Sequence, residues 1–317
     1  MSKPRVSHSA YLGPVDFLKS SELKRSWTLE ESLAYTQWLA THHYENFQVV
    51  SFLLPKRLHQ DFYNVYAFCR WADDLGDEIG DTAESLRLLA WWRGELQRMY
   101  GAASDKDAAS HPVFVALRAT VGRHQLPIDP FDDLIKAFEQ DQTVTRYQNF
   151  EELFRYCRYS ANPVGRLVLG LCGYRDAERQ ALSDATCTAL QLANFWQDVT
   201  VDWAKDRVYL PLDVLAKHGS SVEAIGQRKF DNAFRAAMKE SVGVAQELFL
   251  KGLPLAGMVD RRLAIDLELF SRGGMKVLEK IERQNYDVLS ARPAISKVER
   301  VGLLLSAITR RAFSRAA

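Results

Sequence analysis

The chain has 317 residues and a formal net charge of +1, and hydrophobic residues make up 47% of it. This composition provides a sizeable core and excludes the strongly basic character of a typical nucleic-acid-binding protein. No apolar run reaches the roughly 20 residues that span a bilayer, and the polar start of the chain lacks the apolar stretch of a secretory signal. The four cysteines lack C-x-x-C spacing. We therefore expect a cytoplasmic protein with reduced thiols.

Helical signals recur from residue 28 onward. Thr28 and Glu31 have the spacing of a capping box, which predicts a helix that runs to about His42. One short run, residues 49–54, has strand character. A surface loop is expected at residues 101–110, and further helices are predicted at residues 58–79, 81–100, 111–123, 130–142, 150–173, 176–203, 227–251, 258–287 and 296–311. Many helices with short connections predict an all-α bundle, a single domain over residues 1–317 with its core at about 28–312.

Two groups of acidic residues are the most informative feature. The first lies in residues 73–78 (DDLGDE), near the end of the helix predicted at 58–79. Asp73 and Asp77 are four residues apart and therefore project from one side of that helix. Simple solvation is disfavoured because negative charge at a helix C-terminus opposes the helix dipole. Carboxylate rows suit hard divalent cations that bridge to substrate phosphates, which predicts diphosphate chemistry assisted by Mg²⁺.

The second group is a polar stripe in an otherwise apolar helix. Gln191, Asn194, Asp198 and Asp202 are spaced by three, four and four residues. Polar side chains in such surroundings need partners. A metal ion with its water would supply them, and so would a buried network of hydrogen bonds between amides and acids. The presence of the first group favours the metal.

Other segments are weaker candidates. Pro163 and Gly165 predict a kinked helix, either beside a cavity that admits a bulky apolar chain or in close contact with another helix. Arg70, one turn before the first acidic group, is placed to pair with a carboxylate or a diphosphate. The cationic side chains in residues 205–211 are suited to bind phosphate oxygens, and they are equally consistent with a solvated loop. There is no Gly-x-Ser-x-Gly, no Gly-rich phosphate loop and no dinucleotide fingerprint.

The acidic groups and their flanks resemble the squalene and phytoene synthase family over about residues 30–310. Residues 65–78 (VYAFCRWADDLGDE) match the first aspartate-rich motif of that family. Residues 194–202, followed by 207–211 (RVYLP), match the second. The resemblance implies an isoprenoid synthase fold with a central cavity, and an enzyme that handles prenyl diphosphates with Mg²⁺.

The same resemblance implies roles for individual residues. The metal-liganding positions fall on Asp73, Asp77, Asn194, Asp198 and Asp202. Positions that line the diphosphate and the reacting carbons fall on Arg70, Gln191 and Tyr156, and Asn162 is a further candidate for placing a water molecule. His43 and Tyr286 match family positions near the site, and Phe47 and Arg207 are candidates for contacts with the hydrocarbon and the phosphates.

Three features narrow the resemblance to the bacterial hydroxysqualene synthases of the hopanoid pathway, which hydrate presqualene diphosphate. Residues 42–47 (HHYENF) and 159–165 (YSANPVG) replace the His-Ser-Lys-Ser-Phe and Val-Ala-Gly-x-Val-Gly types of sequence found in phytoene and dehydrosqualene synthases. Gln197 stands where enzymes that join two prenyl diphosphates usually carry arginine. One diphosphate clamp is therefore missing, as expected for an enzyme that receives an already joined substrate.

Three alternatives remain open from the sequence. The first is an enzyme that couples two prenyl diphosphates, which differs from the favoured hydroxysqualene synthase in its substrate. A terpene cyclase would carry a hydroxyl and a terminal glutamate in its second metal motif, whereas Asp198 and Asp202 continue an aspartate pattern. A non-catalytic interaction protein would be free to lose its acids. We expect the substrate to be a prenyl diphosphate and expect no nucleic-acid partner. Contacts with a membrane surface or with neighbouring pathway enzymes are further options.

Overall fold

The computed structural model describes residues 11–42, 54–101, 110–296 and 299. Most of the strand at 49–54, nearly all of the loop at 101–110 and most of the helix at 296–311 lie outside these residues. So do the candidate binding residues His43 and Phe47. The chain divides into two compact units, Met1–Gln142 and Thr143–Ala317. The single-domain organisation remains a prediction.

Helices form both units. The first unit contains α1 (Pro14–Leu18), a short 3₁₀ helix (Ser21–Lys24), α2 (Leu29–His42), α3 (Lys56–Asp77), α4 (Thr82–Gly101), α5 (Pro112–His124) and α6 (Asp129–Gln140). The second contains α7 (Phe150–Ser160), α8 (Asn162–Leu171), α9 (Ala177–Gln197), α10 (Val199–Ala204), α11 (Leu212–Lys217), α12 (Val222–Gly226), α13 (Asn232–Gly252), a 3₁₀ helix (Leu253–Gly257) and α14 (Arg261–Arg283). The described residues contain no strand, only one isolated bridge between Arg146 and Val208. The all-α prediction is confirmed.

Two predicted helix starts agree with the structure. The Glu31 amide donates a hydrogen bond to Thr28 Oγ1 at 3.2 Å, and the Thr28 amide donates one to the Glu31 carboxylate at 2.9 Å. At the start of α4 the Glu84 amide donates to Asp81 at 2.8 Å. These side chains satisfy backbone amides that have no partner within the helix. Within the described residues, no helix is both long and apolar enough to cross a membrane.

Two predicted helices are interrupted. A kink is expected in the one at 150–173, whereas the break in the one at 176–203 corrects the expectation of a continuous helix. The first breaks at Ala161 (φ −116°, ψ −48°), between α7 and α8. Pro163 then lies in the first turn of α8, where a missing backbone N–H costs nothing. The second breaks at Asp198 (φ −106°, ψ 16°), between α9 and α10. No proline or glycine marks that break, so periodicity alone extends the helix through it.

The second unit is built around α9, and glycines on its neighbours allow close approach. A Cβ on Gly165 of α8 would lie 2.3 Å from Ser183 Oγ and 2.6 Å from Cys187 Sγ. A Cβ on Gly252, at the end of α13, would lie 2.0 Å from Thr186 Oγ1. Because such distances are far inside van der Waals contact, only glycine fits these positions without a shift. Both neighbours therefore hold α9, which carries most of the polar stripe.

The core of the first unit surrounds a buried histidine. The ring of His111 lies among aromatic rings that include Phe17, Trp71 and Trp92, with 4.4 Å between its centroid and that of Trp71. Its Nδ1 accepts a hydrogen bond from the Val113 amide at 3.3 Å, which caps α5. Burial lowers the pKa of His111 to about 3. The folded core therefore contains the neutral ring.

We expect His111 to make the first unit less stable as the pH falls. Histidine in an unfolded chain has a pKa of about 6.5, so between about 6.5 and 3 the unfolded chain binds a proton that the folded core rejects. The free energy of unfolding should fall through this window by up to ~1.4 kcal/mol per pH unit. Urea unfolding of His111→Asn, which keeps a capping oxygen, should depend less on pH than unfolding of the wild type. The exposed His42→Asn is the control, and parallel curves for wild type and His111→Asn would contradict the expectation.

Candidate active site

The first acidic group lies in the last turn of α3. Asp73 is half-buried, Asp74 is buried and Asp77, the last residue of the helix, is exposed. The last turn contains no basic residue. The partial negative charge of the helix end therefore adds to that of the carboxylates instead of offsetting it. A cation bound here would be stabilised by both.

Arg70 supplies positive charge from within α3. Its guanidinium lies 2.6 Å from Asp74 Oδ1 and 3.6 Å from Asp73 Oδ2. Burial raises the pKa of Asp74 to about 6, a shift that Arg70 opposes and that Asp73 and Glu78 reinforce. The predicted pairing of Arg70 with a carboxylate is confirmed. Asp74 lies four residues after Arg70, which is the spacing of a helical ion pair.

The end of α3 is fixed against α6. The side-chain amide of Gln142 donates a hydrogen bond to the Gly76 carbonyl at 2.9 Å. A Cβ on Gly76 would lie 3.4 Å from the Cβ of Phe138, so the two helices meet closely at this point. The acidic turn is therefore held by a backbone contact as well as by the buried face of α3.

The second acidic group spans the junction between α9 and α10. The Asp198 amide donates to the Asn194 carbonyl at 2.9 Å, and the Asp202 amide donates to the Asp198 carbonyl at 2.8 Å. These bonds keep the three residues one turn apart although the helix is interrupted at Asp198. Asn194 is exposed, and Gln191, Asp198 and Asp202 are half-buried. The polar stripe therefore persists across the break, which corrects only its placement on one continuous helix.

The charges at this junction are unevenly balanced. Burial and, to a smaller extent, the carboxylate of Asp198 raise the pKa of Asp202 to about 7, against the opposing effects of Arg207, Lys205 and Arg292. Arg292 forms a two-pronged ion pair with Asp198, with 3.1 Å between Nη2 and Oδ2. No local sequence pattern links residues so far apart in the chain, and the sequence analysis missed this pair.

The donor set fits a hard divalent cation. Carboxylate and amide oxygens are the ligands that Mg²⁺ takes in proteins, often together with substrate phosphates. The pKa of Asp202 is high mainly because its carboxyl group is partly buried, and also because the carboxylate of Asp198 lies nearby. Within the described ranges, no three acids, histidines or cysteines form a cluster that would hold a metal on their own. The two acidic groups belong to different units, and the five predicted ligands remain a prediction.

Tyr156 belongs to a buried aromatic cluster in the second unit. Its ring centroid lies 5.4 Å from that of Tyr147, 6.0 Å from that of Tyr209 and 6.2 Å from that of Phe195. Tyr209 and Phe195 stack with centroids 3.6 Å apart. The cluster joins α7 and α9 to the segment that follows α10. Its π faces are suited to a hydrocarbon or a carbocation, and the role of Tyr156 in the reaction remains a prediction.

Asn162 and Gly165 connect α8 to α9. The Thr188 hydroxyl donates a hydrogen bond to Asn162 Oδ1 at 2.9 Å. Gly165 lies in the close contact with Ser183 and Cys187 described above. Of the two interpretations of the kinked segment, the structure supports close helix packing. The role of Asn162 in placing a water molecule remains a prediction.

The last two candidates lie in turns with left-handed backbone. Arg207 follows Asp206 (φ 56°), and its amide donates to the Asp202 carbonyl at 2.9 Å. Tyr286 (φ 64°) itself adopts this conformation directly after α14, and its amide donates to the Ile281 carbonyl at 2.8 Å. Positive φ is uncommon for a bulky residue. The turn therefore sets the direction of the Tyr286 side chain, while substrate contacts by either residue remain predictions.

Comparison with known proteins identifies the family. The sequence profile described as Squalene/phytoene synthase matches residues 40–299. The chain belongs to this family. Hydroxysqualene synthase from Rhodopseudomonas palustris is 34% identical over 282 residues, which cover 87% of this chain and 93% of that protein. Phytoene synthase from Thermus thermophilus is 33% identical over 264 residues, which cover 83% and 87%.

A solved structure supports the same assignment. Squalene synthase HpnC from Alicyclobacillus acidocaldarius is 43% identical, with a TM-score of 0.76, and the match covers 81% of this chain and 95% of that chain. The resemblance inferred from the two aspartate-rich motifs is thereby confirmed. Squalene/phytoene synthases are isoprenoid synthases that act on prenyl diphosphates and generally depend on divalent metal ions.

The contact between α8 and α9 can be tested with matched glycine substitutions. Gly165→Ala should lower the free energy of unfolding by about 1–3 kcal/mol, because the new Cβ overlaps Ser183 and Cys187. Gly243→Ala in α13, where a Cβ would meet nothing within 4 Å, should instead be neutral or stabilising by up to ~1 kcal/mol. Urea unfolding measures both. Equal effects of the two substitutions would mean that α8 and α9 are not in close contact at Gly165.

Proposed function

We propose that this protein converts presqualene diphosphate and water into hydroxysqualene and diphosphate with Mg²⁺, in the hopanoid branch of squalene metabolism. Relatives named hydroxysqualene synthase and phytoene synthase are almost equally similar, at 34% and 33% identity. Overall similarity therefore does not choose between hydration and coupling. The residue that favours hydration over coupling is Gln197, because an enzyme that binds two diphosphates needs more positive charge than an enzyme that binds one.

The surroundings of Gln197 support this proposal. Its side-chain amide donates a hydrogen bond to the Pro293 carbonyl, next to the Arg292 that pairs with Asp198. Gln197 therefore makes an uncharged hydrogen bond to the backbone at a position where an arginine would add positive charge. Arg292 supplies positive charge beside Asp198.

The proposed reaction begins with the loss of diphosphate. The C–O bond of presqualene diphosphate breaks and its electron pair leaves with the diphosphate, which produces a cyclopropylcarbinyl cation. Bound Mg²⁺ would stabilise the charge that develops on the leaving group. The residues that would hold the ions are Asp73, Asp77, Asn194, Asp198 and Asp202. Arg70 would add a charge-assisted hydrogen bond to the diphosphate.

The cation then rearranges, and the oxygen of one water molecule bonds to it and releases a proton to solvent, which gives hydroxysqualene. The buried rings of Tyr156, Tyr209 and Phe195 would stabilise positive charge and exclude other water. Tyr156, Gln191 and Asn162 are the candidates for holding the attacking water. Because the substrate and the product are long hydrocarbons, we also propose that the protein works at a membrane surface.

Substitution of the acidic residues tests the metal assignment. Asp77→Ala and Asp198→Ala should each reduce turnover of presqualene diphosphate by about 10²-fold or more, because charge on the leaving group loses its stabilisation. Neither side chain is buried, so circular dichroism and unfolding midpoints should stay close to those of the wild type. Asp213→Ala, an exposed acid in the first turn of α11, is the control. Full activity in either variant would rule out its assigned role.

Substrate choice tests the reaction itself. Purified protein is incubated with Mg²⁺, without a nicotinamide cofactor, separately on presqualene diphosphate and on farnesyl diphosphate. Hydroxysqualene from the first and no product from the second is the expected result. Product from farnesyl diphosphate would instead support the coupling reaction, which the similarity to a phytoene synthase favours as the second candidate.

A further inference from the structure

The segment between α10 and α11 is held by a short stretch of chain that precedes α7. The Val208 amide donates to the Thr145 carbonyl at 2.9 Å. Farther along, the Leu212 amide donates to the Tyr147 carbonyl at 3.0 Å. The two segments therefore run side by side and are joined by backbone hydrogen bonds. The side chain that strengthens this contact belongs to Arg146.

Arg146 binds both the backbone and the side chain of one residue. Its guanidinium donates to the Asp206 carbonyl oxygen and lies 2.6 Å from Asp206 Oδ1. It also donates to the Thr145 carbonyl at 2.8 Å, and its charge lies 5.7 Å from the ring centroid of Trp203. A planar guanidinium can serve several acceptors at once, which an ammonium group cannot do in the same geometry.

The residue that Arg146 binds has a left-handed backbone conformation. Asp206 has a φ of 56°, in a region that aspartate adopts more readily than most residues, though still at some cost. Contacts around the turn offset that cost. Its own carboxylate is 80% exposed, so the ion pair alone would be weak. The bond from Arg146 to the Asp206 carbonyl holds the backbone directly.

This turn determines where two candidate site residues lie. Arg207 follows Asp206 directly, and its amide returns to the Asp202 carbonyl at 2.9 Å. Tyr209, two residues later, stacks on Phe195 of the aromatic cluster. A change in the backbone conformation at Asp206 would therefore move Arg207 relative to the acidic stripe. Small displacements of a charged group can cost much of its catalytic effect.

We propose that Arg146 is a positioning residue that fixes the turn at Asp206 and thereby places Arg207 for contact with the substrate diphosphate. This inference rests on the proposed diphosphate chemistry of the second acidic group. Arg146 acts by holding the turn at Asp206, and Arg207 makes the proposed contact with the diphosphate. The sequence analysis assigned it no role.

The test compares four variants by their affinity for inorganic diphosphate in the presence of Mg²⁺. Arg146→Met removes the donors and keeps an unbranched side chain beside Trp203, whereas Arg146→Lys keeps the charge. Asp206→Asn removes the ion pair and keeps the carbonyl contact. Arg155→Met alters an exposed arginine of α7 that pairs with Glu151 at 3.3 Å, and is the matched control.

Isothermal titration calorimetry should show a graded loss. We expect Arg146→Met to bind diphosphate about tenfold or more weakly, Arg146→Lys to lie between it and the wild type, and Asp206→Asn and Arg155→Met to stay near the wild type. The kcat on presqualene diphosphate should follow the same order. Thermal unfolding without ligand should change little in any variant. If Arg146→Met does not fold, Arg146→Lys alone must show the weaker binding.

Two results would overturn the proposal. A lower Tm for Arg146→Met with unchanged diphosphate affinity would assign Arg146 a purely structural role. If the wild type does not bind diphosphate with Mg²⁺, Arg207 has no diphosphate to contact and the role proposed for Arg146 is excluded. The expected binding order without turnover of presqualene diphosphate would contradict the proposed reaction and support the role of Arg146.

Discussion

The structure depends on the balance of charge around two groups of carboxylates. The first group lies where α3 ends, so the backbone adds partial negative charge to that of the side chains. The second group spans the break between α9 and α10, with Asp202 in the first turn of α10. Arg70 offsets part of it at α3, and Arg292 offsets part of it at Asp198. Asp202 nevertheless retains a pKa of about 7. Such sites favour a bound cation, and the family to which the chain belongs uses one.

The scaffold keeps these charges in place mainly through close packing. Gly76 brings the end of α3 against α6, and Gly165 and Gly252 bring neighbouring helices against α9. At Gly165 and Gly252 the surrounding side chains fill the space where a Cβ would lie, so these contacts leave little freedom of rotation. Charged side chains that repel one another can therefore remain on one side of a helix. Stability from the core offsets the cost of their repulsion.

Local patterns in the sequence predicted much of the fold and the candidate residues. They did not predict ion pairs between residues that are far apart in the chain. The capping pairs Thr28–Glu31 and Asp81–Glu84 were predictable because each joins residues three positions apart. The break at Asp198 carries no breaker residue, and tertiary contacts decide it. Arg292 pairs with an aspartate 94 positions away, and Arg146 with one 60 positions away. One sequence contains no signal for such pairs, although the Arg70–Asp74 pair was within reach of helical spacing.

The contact at Gly165 also separates scaffold from site along α9. Ser183, Cys187 and Gln191 are four residues apart and lie in one line along that helix. Gly165 covers the first two, and the polar stripe begins at the third. A larger residue at position 165 would push α8 away and expose the line a turn earlier. The boundary between the packed surface and the predicted site thus depends on one absent methyl group, which makes this position a natural point for evolution or design to change the depth of that site.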